Sequence, residues 1–111
     1  MTLVEAYAGE IRLSTYTFAP RGWAMCDGRL LSVEEYPVLF ALIGATYGGD
    51  GVTTFGLPDL RGRLPIGSDT ACTPGTFSTG IGAASGHDFQ TQPTLSVNYI
   101  ICLYGVYPDR S

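Results

Sequence analysis

Residues 94–107, TLSVNYIICLYGVY, are apolar on both parities at their centre, and they form the strongest strand signal in the chain. A strand with that pattern has no face to offer water, so it must be buried on both sides. A chain of 111 residues is long enough for one core of that kind and too short for a second independent one. The expected organisation is a single domain over 1–111, with a scaffold at 5–66 and 93–108 and a loop at 67–92.

The charge pattern removes several function classes. Charged residues make up 14% of the chain, against roughly 25% in an average soluble domain. The net charge is -4 and every base is an arginine, since no lysine occurs. A nucleic-acid reader needs clustered bases to displace counterions, and a membrane-surface anchor needs a polybasic patch; neither is present. The apolar runs fall far short of the roughly 20 residues needed to cross a bilayer, so no membrane insertion is expected. Residues 1–12 contain no basic segment followed by an apolar one, which leads us to expect synthesis in the cytoplasm without a cleaved signal.

Fifteen glycines, seven prolines and seven tyrosines favour short strands separated by turns. Residues 10–18 (EIRLSTYTF) alternate, with Ile11, Leu13, Thr15 and Thr17 on one parity. Ala19-Pro20-Arg21-Gly22 is a turn, Trp23-Ala24-Met25-Cys26 a second strand, and Asp27-Gly28 a tight turn into Arg29-Leu30-Leu31, which predicts a small antiparallel meander. Ser32-Val33-Glu34-Glu35 fits a capping box, so a helix is expected over about 33–43, its regular part starting either there or at Pro37, with Gly44 as its C-terminal cap. Tyr36, Leu39, Phe40 and Ile43 mark the helix face that packs on the sheet. Residues 52–57 read as a further strand ending at Pro58, and 67–93 as a long loop rich in Gly, Ser and Thr. The fold class is therefore α+β, mainly antiparallel β, in a small compact domain with one short helix packed on a sheet.

The chain has few groups for catalysis. With one histidine, His87, and no Gly-x-Ser-x-Gly elbow, a Ser/His/Asp triad cannot be assembled in a recognisable form. Three scattered cysteines lack metal-ligand spacing, so no metal, cofactor or catalytic residue is expected. Cys26 and Cys102, among apolar and aromatic neighbours, read as buried thiols, whereas Cys72 lies in a polar segment and is a candidate for an intermolecular bridge. Gly80-Ile81-Gly82-Ala83-Ala84-Ser85-Gly86 has the wrong spacing for a phosphate loop. Gly48-Gly49-Asp50-Gly51 reads as turn architecture in preference to an amide nest or a calcium ligand. Arg61 and Arg63 share one strand face and are expected to grip Asp59, or a carboxylate on a neighbouring subunit. Trp23 is expected in the core, where its removal costs about 3 to 5 kcal/mol, with a sugar-binding platform as the alternative. Asp59, Arg61, Arg63 and Trp23 together form the expected structural cluster.

Gly9-Glu10-Ile11-Arg12 and Phe18-Ala19-Pro20-Arg21-Gly22-Trp23-Ala24-Met25-Cys26-Asp27-Gly28 resemble the opening of the phage tail collar domain family, also called microcystin-dependent proteins. Thr46-Tyr47-Gly48-Gly49-Asp50-Gly51, Thr53-Thr54-Phe55 and Leu57-Pro58-Asp59-Leu60-Arg61-Gly62-Arg63 extend the resemblance almost continuously over 5–67, and Gln92-Pro93 with Asn98-Tyr99-Ile100-Ile101 resemble its C-terminal strand. The resemblance implies a non-enzymatic structural component of a phage tail or a phage-derived tail-like assembly. Typical members carry a longer middle segment, often with a His-x-His pair that contributes to metal binding or to a receptor-facing tip. This chain has residues 67–91 in that place and no such pair.

Two functional classes follow. One is a structural subunit of a tail or fibre assembly that works by self-association, as a homo-oligomer or polymer, with a trimer as the simplest arrangement and other tail proteins as further partners. The other is an adhesin or glycan-binding module that contacts a host surface. Because the resemblance begins within a few residues of Met1, the domain is expected to attach through its own surface. Lysine, one of the usual guards of edge strands, is absent. Candidate contact residues are Thr2, Leu3, Val4, Tyr47, Cys72, Phe77 and Ile81. The expected site of action is a virion tail or an extracellular tail-like assembly.

Overall fold

A computed structural model describes residues 6–77 and 93–109. The elements in chain order are β1 (Ile11–Ser14), β2 (Trp23–Met25), β3 (Leu30–Ser32), α1 (Pro37–Ile43), β4 (Thr54–Gly56) and β5 (Asn98–Cys102). The strands form a three-stranded sheet of order β1-β5-β2 and a two-stranded sheet of β3 with β4, antiparallel throughout. The class is α+β, as the sequence implies.

By its contacts the chain separates into two units, Met1–Pro65 with Val97–Ser111, and Ile66–Ser96. In the first, β5 lies between β1 and β2, pairing Ile11 with Ile101 on one side and Ala24 with Ile101 on the other. This corrects the expected meander. β2 and β3 follow each other in sequence but pair with different partners, because the strand that can be buried on both faces takes the central place. Its Ile100, Ile101 and Cys102, which cover both parities, are all buried. The strand is shorter than its apolar run, with a bend at Leu103 and Tyr104.

The core gathers Ala24, Cys26, Leu39, Phe55, Leu57, Ile101 and Leu103, with Tyr36, Phe40 and Ile43 of the helix region packed against it. Leu39, Phe55 and Leu57 have no exposed surface, and the Phe40 and Phe55 rings meet at 5.5 Å. The spacing-derived helix face is thus the packed face. α1 itself begins at Pro37, where a missing amide proton costs nothing, and Gly44 closes it through a bond from its amide to the Phe40 carbonyl. Ser32 Oγ accepts the Glu35 amide at 3.3 Å, but this closes a turn ahead of the helix, since proline at position 37 resets the start.

One close approach fixes the next loop. At Gly49, with φ of +85°, an added Cβ would run into the backbone of Phe55 and Thr54, so the loop can lie flat on β4 only without a side chain there. In the second unit, the described residues form turns with neither helix nor strand. Asp69 Oδ1 accepts the amides of Ala71 and Cys72 at 2.9 and 2.7 Å, and the Thr76 amide donates to the Thr73 carbonyl at 3.1 Å.

Candidate functional site

Two Asp-x-Arg turns lie side by side. In the first, Asp27 receives Nε and Nη2 of Arg29 at 3.0 and 2.8 Å; in the second, Asp59 receives the same two groups of Arg61 at 2.8 Å each. Arg63 donates to the Asp59 carbonyl at 3.0 Å and stands 3.4 Å from its carboxylate. Asp27 and Asp59 are joined by an isolated antiparallel bridge, supported by the Leu60 amide on the Cys26 carbonyl at 2.9 Å. A Cβ on Gly28 would come within 3.2 Å of the Asp59 Cβ at a φ of +79°, so glycine is what allows the turns to touch.

The fork-like guanidinium contacts hold Asp59 far below the usual carboxylate range, through Arg61 first, and lower Asp27 through Arg29 in the same way. Both groups stay ionised and saturated with donors, which suits them to hold a loop and not to shuttle protons. The expected grouping of Asp59, Arg61 and Arg63 is therefore present as geometry. Asp27 and Arg29 were missed, although the repeated Asp-x-Arg spacing was a signal that could have found them.

Asp50 builds a third saturated turn. Its Oδ1 accepts the amides of Val52, Thr53 and Thr54 at 2.8, 2.8 and 2.9 Å, and its Oδ2 accepts the Thr53 hydroxyl at 2.8 Å. These donors, the Thr54 amide foremost, push its pKa far down. The amides that an external anion would need are already occupied by this carboxylate.

The three-stranded sheet has a second, different site on the face away from the core. Ile101 and Ala24 point to the core; Arg12, Ile100 and Ser14 lie on the other parity and, with Tyr16, Pro20, Arg21, Trp23 and Val97, line an open cleft of about 830 Å³. The Arg12 guanidinium sits 5.1 Å from the Trp23 ring centroid, and its Nε donates to Glu10 at 2.7 Å, which lowers the Glu10 pKa. Ser14 Oγ is buried with no hydrogen-bond partner among the described residues. Trp23 is thus only half-buried and lies outside the core cluster. This corrects the expectation of a core tryptophan: the register with β5 assigns it to the face with Cys102 and Ile100. It does not join the Asp59, Arg61 and Arg63 group.

At the border of this sheet β1 is an edge strand among the described residues, and its Ile11 and Leu13 are 41% and 62% exposed. They share the core-side parity with Ile101, but the core cluster ends at β5. Tyr16 and Phe18, also exposed, stack at 6.1 Å immediately after the strand.

Of the other candidate residues, Tyr47 is 38% exposed beside the Asp50 turn, Phe77 is 67% exposed and Cys72 is half-buried. Thr2, Leu3, Val4 and Ile81, together with His87, lie outside the described residues. Cys26 and Cys102 are buried, and burial pushes the Cys26 thiol up to about 12. No helix among the described residues is long and apolar enough to cross a membrane.

Comparison with known proteins bears on these sites. The family model described as Phage Tail Collar Domain matches residues 9–65, which contain both Asp-x-Arg turns, the Asp50 turn, β1 and most of the cleft. Protein RhiB of Rhizobium leguminosarum bv. viciae is 42% identical over 52 residues, covering 44% of this chain and 24% of RhiB. The chain therefore spans about a quarter of the length of that curated relative.

Proposed function

Because the chain belongs to the phage tail collar domain family, we propose that it is a non-enzymatic structural subunit of a phage tail or a tail-like fibre assembly and that it acts by self-association. The family supplies the tail-fibre type of structural role. Self-association rests on the edge strand β1, which carries exposed Ile11 and Leu13 and runs on into the stacked Tyr16 and Phe18. An edge with unpaired backbone groups and apolar side chains is a template for another chain, and no lysine guards it. In this reading the Asp59, Arg61 and Arg63 group pins residues 57–65, so that the scaffold keeps its shape under assembly. Residues 1–111 act as one domain, with Cys72 and Phe77 as further contacts. Its working location is a virion tail or an extracellular tail-like assembly.

The test is light scattering with sedimentation on the purified chain. The expected result is a homo-oligomer, a trimer or a longer polymer, that Leu13→Lys dissociates without loss of secondary structure. A monomer at high concentration that Leu13→Lys leaves unchanged would reject self-association through β1.

A second reading, an adhesin or glycan-binding module, has the Trp23 cleft in its favour, since an aromatic ring beside hydroxyl and guanidinium donors suits a sugar. Binding on a glycan array by the chain, lost in Trp23→Ala, would support it.

A further inference from the structure

The strand edges differ in whether their outward backbone groups are already taken. In β2, the Gly22 carbonyl accepts the Leu103 amide at 2.8 Å and the Cys26 amide donates to the Tyr99 carbonyl at 3.0 Å, so Trp23 and Met25 turn their backbone groups away from β5. Local turns claim half of those groups: the Trp23 amide donates to the Pro20 carbonyl at 3.0 Å, and the Met25 carbonyl accepts the Asp27 amide at 2.9 Å. The outward side of β4 is covered by the loop at 48–51. There the Thr54 carbonyl accepts the Gly51 amide, the Thr54 amide donates to Asp50 Oδ1 and the Gly56 amide donates to the Gly48 carbonyl, each at 2.9 Å. On β3 the Ser32 carbonyl accepts the Tyr36 amide at 3.1 Å, which leaves Leu30 as its one residue with both outward groups open among the described residues. β1 is different. The Cys102 amide donates to the Glu10 carbonyl at 2.9 Å, and Ile100 and Asn98 lie opposite Arg12 and Ser14, so the even-numbered residues bond to β5. Ile11 and Leu13 turn both amide and carbonyl to the open edge, where no group among the described residues bonds to them.

We propose that the partner for this edge is the same edge of a second copy, joined antiparallel about a twofold axis at Arg12. Among the described residues β1 is the one strand with two alternate residues open in this way, so the edge that completes it on an identical chain is β1 itself. The pairing is antiparallel because in a parallel pair a bonded residue faces a non-bonded one, which a twofold axis forbids. With the axis at Arg12, Ile11 and the partner's Leu13 exchange both bonds, and Leu13 does the same with the partner's Ile11, so every open group finds a partner. The segment Glu10-Ile11-Arg12-Leu13-Ser14 reads polar, apolar, polar, apolar, polar in either direction, the pattern such an axis requires. On one face the exposed Ile11 and Leu13 side chains cover their counterparts. On the other, Arg12 faces the partner's Arg12, but its guanidinium is drawn back over Trp23 and bonded to Glu10, and the partner's Glu10 lies on its diagonal, so the charges balance. One continuous sheet then runs β2-β5-β1 and on through the partner's β1, β5 and β2, and the assembly grows by pairs. The proposal deepens the self-association reading above and rests on it.

The test is sedimentation velocity on the whole chain, together with cysteine cross-linking. Leu13→Pro removes an amide that points outward, so β1 keeps its bonds to β5. The expected result is an assembly with an even number of chains that falls to monomer in Leu13→Pro while the circular dichroism spectrum is unchanged. Arg12→Cys in a Cys72→Ser background sets two thiols at the axis, where a non-bonded antiparallel pair has its Cα atoms about 4.5 Å apart, within disulfide reach. Cys26 and Cys102 are buried. Diamide is expected to give a disulfide-linked dimer of this variant and none of Leu30→Cys in the same background. If Leu13→Pro loses its spectrum, the cross-link decides. An assembly that keeps its size in Leu13→Pro, a trimer, or the absence of an Arg12→Cys dimer from assembled material keeps self-association and overturns the twofold pairing. A monomer at millimolar concentration with no cross-link overturns both.

Discussion

The two faces of the β1-β5-β2 sheet are made by the same strands with alternate residues, yet they end in different states. On the inner face, Ile101 and Ala24 meet Leu39, Phe55 and Leu57, and the layer is closed. On the outer face, Ile100 and Cys102 are just as buried, but around them lie Arg12, Trp23 and Ser14, half-exposed and bordering an open cleft. Burial of the central strand alone therefore does not separate a core from a binding face. What separates them is the cover: an apolar helix and a second sheet on one side, and on the other only half-exposed side chains such as Arg12 and Trp23 beside an open cleft.

The largest test of this contrast is Phe55→Ala, which removes a fully buried ring from the inner layer. It is expected to cost about 3 to 5 kcal/mol in denaturant unfolding, enough to threaten folding in so small a domain. Trp23→Ala on the outer face removes a larger side chain, but one with part of its surface already in water. Its expected cost is about 1 to 2 kcal/mol, because stabilisation follows the area withdrawn from solvent. Equal losses from the two variants would show that the outer face is a second core.

Thiol labelling sharpens the same comparison. Cys26 lies on the inner layer with its thiol raised to about 12, so at pH 8 it stays protonated as well as covered. A probe such as DTNB is expected to reach Cys72 at once, Cys102 more slowly, and Cys26 only on unfolding. Its raised value also means that stability contributed by the neutral thiol is complete below the ordinary thiol range and is lost as pH rises toward 12. Rapid labelling of Cys26 at pH 8 would show that the inner layer opens locally. The smallest expected effect is that of Leu13→Lys at the sheet edge. It should change monomer stability by less than about 0.5 kcal/mol, because Leu13 is 62% exposed, while altering assembly.

Local features were legible in the sequence because their partners are only a few residues apart. Asp59 with Arg61 and Arg63, and Asp50 with residues 52–54, close turns whose donors and acceptor lie within four positions. The α1 packing face followed from side chains three and four apart on one turn of helix. The neighbouring Asp27 and Arg29 were equally readable by spacing, but their contact with the second turn spans more than thirty residues and carries no local signal.

Alternation along a strand tells which residues share a face; it does not tell which strand will lie alongside or what will cover that face. The sequence by itself determined that the centre of the run 94–107 is buried on both sides, that residues 48–51 make a turn, and that Asp59 has two arginines within reach at 61 and 63. Only the tertiary structure decided that β5 enters between β1 and β2, that Trp23 turns away from the core, and that Ile11 and Leu13 remain in water. Those outcomes depend on pairings between residues more than seventy positions apart, such as Ile11 with Ile101 and Trp23 with Cys102. The free energy of such pairings comes from the assembled layers, and no short stretch of sequence contains it.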